Sequence, residues 1–187
     1  MSIAMSAKSS KLESFIFGDL VVTAIMAVLA YGTVEPWSLT LFELNALLMA
    51  VLLAIRYVFD SQAKWGQWRI ALPLLALVVF GFLQFLPFGA ASQFKPPTLS
   101  LDPQATKEAT IKLLSLTIYL IAGLHALRQS ERRKKLLVTL TLFGFAVSLF
   151  AILQRLTSNN KLYWVRPVSP YIAFYGPFGN YNHFAGM

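Results

Sequence analysis

The sequence predicts an all-α membrane protein, and its composition and its long apolar stretches both support this fold class. Hydrophobic residues make up 57% of the 187 residues and charged residues only 13%. Soluble domains are about half apolar and about one-quarter charged, so this composition indicates contact with lipid. The apolar stretches are hydrophobic on every side and lack strand-like alternation, as is typical of membrane helices.

Five stretches are long enough to cross a hydrocarbon core, which needs ~20 helical residues or somewhat fewer. We expect the start of a sixth helix near the end of the chain, and we treat residues 1–187 as one transmembrane domain. The five predicted helices cover residues 15–34, 38–58, 70–86, 109–127 and 136–153.

The first stretch has some features of a cleaved signal peptide. Lys8 and Lys11 precede it, and residues 28–30 (Val-Leu-Ala) are compatible with a cleavage site. However, Asp19 interrupts the apolar run and four further stretches follow. This pattern favours an uncleaved first membrane helix.

The distribution of Lys and Arg predicts a cytoplasmic N-terminus. With this orientation ten of the 16 basic residues face the cytoplasm, and the cluster at residues 132–135 (Arg-Arg-Lys-Lys) contributes most of the bias. The two longest connections, residues 87–108 and 157–180, then lie on the periplasmic side. We therefore expect a multi-pass protein of the bacterial inner membrane, in contact with membrane lipids.

The charge and the cysteine content limit the chemistry. The net charge of +8 is explained by basic residues between apolar runs, so no nucleic-acid partner is expected. The chain has no cysteine, which excludes disulfides, thiolate metal sites and thiol nucleophiles. The sequence predicts neither a metal site nor a cofactor.

The second long connection contains most of the candidate binding groups, because long ordered loops carry such groups in membrane proteins. It leads to a turn at Gly176-Pro177 and then to Asn180, a good N-cap for a helix that begins at the outer interface. The free N–H groups and the positive dipole end of such a helix favour a bound anion.

Two side chains add to this predicted anion site. His183 lies on the first turn of the expected helix and Arg166 lies upstream in the loop, a combination that suits phosphate or pyrophosphate. In the alternative interpretation Asn180 is only a cap, Asn182 and His183 are interfacial polar residues, and Arg166 anchors the chain to headgroups. The residues by themselves leave both interpretations open.

Residues 176–186 (GPFGNYNHFAG), preceded by Tyr163-Trp164-Val165-Arg166, resemble the O-antigen ligase/O-antigen polymerase family of bacterial membrane glycosyltransferases. Members commonly show Gly-x-Phe-x-Asn-x-Asn-x-x-Ala at the start of a central helix, with an Arg in the loop before it. Residues 32–37 (GTVEPW) also resemble the family's opening. The segment Asn180-Tyr181-Asn182 departs mildly from the commoner Asn-Pro-Asn or Asn-Arg-Asn and keeps both Asn residues.

This resemblance implies a membrane glycosyltransferase of lipopolysaccharide or other polysaccharide biosynthesis. Its substrate is an undecaprenyl-pyrophosphate-linked glycan, either O-antigen or exopolysaccharide, and its acceptor is another glycan or lipid A core, without a metal or cofactor. The implied catalytic residues are Arg166, which stabilises the pyrophosphate leaving group, and His183, which acts as the base. The implied substrate-binding residues are Asn180, Asn182, Tyr163 and Trp164.

Members of this family are usually much longer, with more membrane helices and a further large periplasmic loop. We therefore expect this chain to be the N-terminal part of a longer polytopic protein, and to act as an enzyme only when a C-terminal half completes it. The alternative function is a non-catalytic polytopic protein, such as a transporter half or an assembly subunit of a polysaccharide export system. The sequence lacks the inverted repeats and broken helices that are typical of transporters.

Overall fold

A computed structural model describes residues 2–59, 68–88, 98–168 and 175–178. Most of this part of the chain is α-helical, as predicted, and it also contains one small β-hairpin. In chain order its elements are α1 (Ser2–Leu29), α2 (Pro36–Phe59), α3 (Leu72–Phe85), α4 (Pro103–Ala126), α5 (Ser130–Thr157), β1 (Lys161–Leu162) and β2 (Arg166–Pro167).

Four of these helices are long and apolar enough to cross a membrane. The candidate spans are Lys11–Leu29, Pro36–Val58, Pro103–Ala126 and Ser130–Thr157. The third predicted stretch forms a shorter apolar helix, Arg69–Phe85, whose first turn is a 3-10 turn. The prediction of a multi-pass, all-α membrane protein is thus supported, with four full-length candidate spans where the sequence predicted five.

Large apolar side chains cover the outside of these helices. On α2, a run of such residues is exposed: Leu41, Leu44, Leu47, Leu48 and Val51. A soluble protein rarely exposes so extensive an apolar surface, whereas lipid tails cover it without cost. The exposed surface therefore agrees with the hydropathy of the sequence.

Three predicted helix starts are wrong, and the first is that of α1, which covers Ser2–Leu29 rather than residues 15–34. Helix α4 begins at Pro103 rather than at residue 109, because the Asp102 carboxylate accepts the Ala105 N–H at 3.0 Å and caps the helix. Pro103 fits the first helical position, where no N–H is needed. The first predicted loop, residues 87–108, therefore ends at residue 102.

Helix α5 begins at Ser130 rather than at residue 136, so the basic cluster at residues 132–135 is helical. Long charged side chains have good helix propensity, and Glu131 pairs with Lys134 at 3.6 Å in the first turn. Hydropathy alone could not place this start, because it marks where a helix becomes apolar rather than where it begins. Helix α5 ends at Thr157, four residues beyond the predicted end at residue 153.

The chain divides into two compact units. Unit 1 comprises Met1–Phe17 and Glu43–Ala126, and unit 2 comprises Gly18–Phe42 and Leu127–Met187. Unit 1 contains α3 and α4, and unit 2 contains α5 and the hairpin. Helices α1 and α2 contribute to both.

In unit 1, helices α3 and α4 approach closely through small residues. A Cβ at Gly81 would collide with the Thr110 side chain, so glycine is required at this contact. Thr110 donates its hydroxyl to Thr106 O at 2.7 Å, and the buried Thr117 donates to Leu113 O in the same way. Small residues whose hydroxyls are satisfied within their own helix are typical of helix contacts in membranes.

Unit 1 also contains a buried ion pair between α1 and α2. Arg56 donates to Glu13 Oε1 from Nε at 3.2 Å and from Nη2 at 2.5 Å. The Arg56 and Glu13 side chains are 7% and 19% exposed. His125 Nε2, on the last turn of α4, lies 3.9 Å from the same carboxylate oxygen. One carboxylate therefore connects three helices of this unit.

Candidate anion-binding site

The site lies in unit 2, where the turn between α1 and α2 meets the segment that follows α5. Residues Tyr31–Thr33 form a 3-10 turn with φ angles of 60°, 68° and 57°. Such left-handed angles are unfavourable for the two residues that carry a Cβ. Gly32 adopts its angle freely, and a Cβ there would lie 2.8 Å from Phe178 Cε1. The turn therefore needs glycine at position 32 for both reasons.

The segment after α5 folds into an antiparallel hairpin. Its strands pair Lys161 with Pro167 and Leu162 with Arg166. Tyr163 and Trp164 occupy the turn with φ angles of 52° and 59°. Type I′ turns require positive φ at both central positions and usually contain Asn and Gly there. Two aromatic residues in such a turn must be held by contacts outside it.

Hydrogen bonds from both turn residues supply these contacts. Tyr163 donates its hydroxyl to Leu29 O at 2.5 Å, which satisfies a carbonyl at the C-terminus of α1. Trp164 donates its indole N–H to Thr157 Oγ1 at 2.9 Å, at the end of α5. The Phe150 ring lies 5.5 Å from the Tyr163 ring and 5.7 Å from the Trp164 ring. The hairpin is thus attached to both α1 and α5.

Gln154 connects the hairpin to the next turn of the chain. Its side chain is fully buried. Oε1 accepts the Tyr163 N–H at 3.1 Å, and Nε2 donates to Gly176 O at 2.8 Å. The predicted turn at Gly176-Pro177 is present, closed by two hydrogen bonds between Tyr175 and Phe178. A single amide therefore holds two loop segments against the last turns of α5.

Arg166 points its guanidinium toward the start of α2. Its Nη1 donates to Glu35 Oε1 at 2.5 Å, and the two side chains are 52% and 30% exposed. The guanidinium carbon lies 5.7 Å from the centroid of the Tyr31 ring. The hydrogen bond to Glu35 and the charge of its carboxylate raise the pKa of Arg166 above its usual value. Arg166 therefore remains a cation that is exposed and oriented.

Two further aromatic rings pack against Tyr31, the ring that contacts this cation. The Tyr31 ring meets the Tyr163 ring edge-on at 5.4 Å and the Trp37 ring at 6.4 Å. Burial, and to a smaller extent the neighbouring Tyr31, raise the pKa of Tyr163 to about 12. The Tyr163 phenol therefore stays protonated to a higher pH than an ordinary tyrosine, and its O–H donates the hydrogen bond to Leu29 O.

A second cation of unit 2 also lies over an aromatic ring. The Arg155 guanidinium carbon is 5.9 Å from the centroid of the Tyr175 ring. With Lys161 on β1, three basic side chains of this unit occur at or beyond the last turn of α5. This end of unit 2 therefore favours an anionic ligand.

Three of the six residues predicted for the site are described, and the structure brings them together. Tyr163, Trp164 and Arg166 belong to the hairpin, where Trp164 presents an exposed ring and Arg166 an exposed cation. The other three, Asn180, Asn182 and His183, lie outside the described residues, as does the expected sixth helix.

Glu35 and Gln154 also contact the predicted site residues, although the sequence did not predict either of them as a site residue. Glu35 lies within the GTVEPW run, but an acidic residue before a proline at a helix start is ordinary and gives no sign of an arginine partner. Gln154 lies in an apolar helix, where a buried amide signals a structural or functional contact without naming it. Gln154 stands out in the sequence as a polar residue near the C-terminal end of its helix, but this position does not identify its partners.

The chemistry available here is anion binding. A guanidinium has five N–H donors in a planar fork that suits phosphate, and among the described residues Arg166 uses only Nη1, toward Glu35. The described residues contain no group of three or more His, Asp and Glu side chains that could hold a metal ion.

Comparison with known protein families, with curated proteins and with solved structures finds no match to this chain.

Proposed function

We propose that this chain is part of a membrane glycosyltransferase that transfers or polymerises undecaprenyl-pyrophosphate-linked glycans, in O-antigen or exopolysaccharide synthesis. The observation that carries the proposal is Arg166: an exposed guanidinium, held by Glu35 and Tyr31, at the end of membrane-length helices. The sequence resemblance at residues 176–186 supports the same reaction. The acceptor is a glycan or lipid A core.

The proposed topology has a cytoplasmic N-terminus in the bacterial inner membrane, with α3 as a fifth crossing. The basic cluster at residues 132–135 then faces the cytoplasm, and the end of α5 and the α1–α2 turn both face the periplasm. Cysteines introduced at Ser130 and Ser158 test this, because the chain has no native cysteine. Labelling of the residue-158 variant alone from outside the inner membrane is expected, and labelling of the residue-130 variant would reverse the topology.

The proposed reaction is a displacement at the anomeric carbon of the lipid-linked glycan. A bond forms between the acceptor oxygen and this carbon, and the bond to the pyrophosphate oxygen breaks. Arg166 stabilises the charge that develops on the departing undecaprenyl pyrophosphate. His183 accepts the proton from the acceptor hydroxyl. No metal or nucleotide takes part.

Trp164 and Tyr163 are proposed to line the glycan side of the site. The Trp164 indole N–H is engaged by Thr157, which fixes the ring while leaving it 44% exposed. A fixed, exposed aromatic ring offers an apolar face at low conformational cost to a sugar ring bound beside Arg166. Tyr163 acts mainly by holding the turn.

Substitution of Arg166 at the chromosomal locus, in the native length of the protein, tests this function. We expect Arg166→Ala to reduce glycan transfer by ~100-fold, because it removes a charge-assisted contact that strengthens in the transition state. Arg166→Lys recovers only part of the activity, since a point charge does not replace the planar fork. The polysaccharide ladder on a gel reports transfer, and a blot reports the protein level.

Lys107→Ala is the control, because Lys107 is an exposed cation of α4 that does not belong to the site. It should leave the ladder normal. A normal ladder from Arg166→Ala at normal protein level would remove Arg166 from the site and favour the non-catalytic alternative, a transporter half or an assembly subunit. Equal losses from both variants would show that only the surface charge matters.

A further inference from the structure

We infer that Glu35 is a positioning residue for the proposed reaction: it orients the Arg166 guanidinium toward the pyrophosphate and remains bound to it when the substrate binds. This inference rests on the proposed function of Arg166. Nothing in the sequence pattern assigns a role to Glu35. The contact joins residues that are 131 positions apart in the chain.

The geometry of the contact leaves most of the guanidinium available. Glu35 Oε1 accepts from Nη1 of Arg166, and within the described residues the Arg166 side chain forms no further hydrogen bond. The N–H groups of Nε and Nη2 form the bidentate edge that phosphate prefers. A carboxylate that blocked the site would occupy this edge. Glu35 instead holds the guanidinium by its other end.

Glu35 is itself fixed at the start of a helix. Its carbonyl oxygen accepts the Ser38 hydroxyl at 2.9 Å and the Leu39 N–H at 3.0 Å. Pro36 opens α2 directly after it and restricts the backbone. The carboxylate therefore extends from a rigid element, which is what an orienting contact needs.

Tyr31 restricts the same guanidinium from a second direction. The Arg166 guanidinium carbon lies over the Tyr31 ring, 5.7 Å from its centroid, while Glu35 accepts from Nη1. An arginine side chain on a two-residue strand has many rotamers, and these two contacts reduce them before the substrate arrives. Preorganisation of this kind increases affinity, because less conformational entropy is lost on binding.

If Glu35 instead competed with the ligand for Arg166, its removal would have the opposite effect on anion affinity. A carboxylate that competed with the ligand would weaken anion binding, and its removal would strengthen it. Positioning and competition therefore predict changes of opposite sign in the affinity for pyrophosphate. This difference makes the role of Glu35 measurable without the full glycan substrate.

The experiment measures the affinity of the purified full-length protein in detergent for inorganic pyrophosphate, by titration calorimetry. We expect Glu35→Ala to weaken binding on the order of tenfold, and Arg166→Ala to weaken it by ~100-fold. Glu35→Gln should retain part of the affinity, since its amide oxygen still accepts from Nη1. Glu131→Gln is the control, because it also breaks an exposed ion pair, with Lys134, and should change nothing.

The outcomes separate the two proposals. Unchanged affinity in Arg166→Ala overturns the proposed function, and the inference with it. Weaker binding in Arg166→Ala with unchanged or tighter binding in Glu35→Ala overturns the positioning role alone. Thermal unfolding of each variant identifies misfolded protein, and in that case the near-isosteric Glu35→Gln decides. In an assay of glycan transfer, a positioning role for Glu35 predicts that Glu35→Gln changes KM more than kcat.

Discussion

The two units contain the same chemical pair in opposite surroundings. Glu13 and Arg56 in unit 1, and Glu35 and Arg166 in unit 2, each have a closest N–O distance of 2.5 Å. The first pair is nearly buried, whereas the Arg166 side chain is 52% exposed. The N–O distance therefore does not distinguish the roles of the two ion pairs, whereas their burial does.

The two pairs also use the guanidinium differently. Arg56 presents Nε and Nη2 to one carboxylate oxygen, so its bidentate edge is occupied within the protein. Arg166 presents only Nη1 to Glu35. Breaking a buried pair leaves an uncompensated charge, whereas an exposed pair contributes little to stability. We therefore assign a structural role to the first pair, whereas the second is the pair that we propose binds the ligand.

The backbone around the two ion pairs also differs. Glu13 and Arg56 lie on regular helices, whereas the loops around Glu35 and Arg166 contain all the described non-glycine residues with positive φ: Tyr31, Thr33, Asn159, Asn160, Tyr163 and Trp164. Sparsely populated backbone conformations persist only where surrounding contacts maintain them, and they are common at functional sites.

The largest expected effect is on stability, in unit 1. Arg56→Ala should lower the free energy of unfolding by about 3–5 kcal/mol, because it leaves the Glu13 carboxylate buried without its main partner. Arg166→Ala should lower it by only about 0–1 kcal/mol, because that pair is solvated. Thermal unfolding of the two variants in the same detergent measures the difference.

A double substitution sharpens this prediction. Glu13→Leu combined with Arg56→Met removes both charges together and should be less destabilising than Arg56→Ala alone. Equal destabilisation by Arg56→Ala and Arg166→Ala would show that burial does not separate the two pairs.

An intermediate effect is expected at Gln154, which supports the exposed pair through the hairpin. Gln154→Leu should destabilise the protein by about 1–3 kcal/mol, since the Tyr163 N–H and the Gly176 carbonyl lose their partner. Pyrophosphate affinity should fall as well, because the hairpin carries Arg166. Calorimetric titration and thermal unfolding together check both effects. Gln104→Leu is the control, because Gln104 is exposed and its amide contacts only Glu108 among the described residues.

The smallest expected effect is a change with pH at Tyr163. Its folded-state pKa of about 12 lies above the ordinary value of about 10, so the neutral phenol favours the folded state. This contribution is complete below about pH 10 and is lost as the pH rises toward about 12. Tyrosinate absorbance should show a late-titrating component that Tyr163→Phe removes. An unchanged titration curve would place Tyr163 in water.

The sequence predicted the all-α fold class and the turn at Gly176-Pro177, because hydropathy and Gly-Pro turns are local signals. It also grouped Tyr163, Trp164 and Arg166 in one loop. It misplaced the start of α4, where the Asp102-Pro103 cap was a readable signal that hydropathy overrode.

The partners of these residues could not be predicted in the same way. Glu35 and Arg166 are brought together by the packing of distant segments, and no spacing rule connects them. Gln154 was recognisable as an unusual polar residue. Its two hydrogen-bond partners lie on loops, and the conformation of these loops cannot be read from local sequence. Side-chain contacts between distant loops depend on the tertiary structure.

The left-handed Tyr163-Trp164 turn has a consequence for the order in which the protein is assembled. Each such residue costs about 1–2 kcal/mol when nothing compensates for it, so the hairpin has no reason to form as an isolated segment. Its stabilising partners, Leu29, Thr157 and Gln154, all lie on helices that are synthesised earlier. We therefore expect α1 and α5 to be in the membrane before the hairpin closes, so that the arginine reaches its final position late in biogenesis.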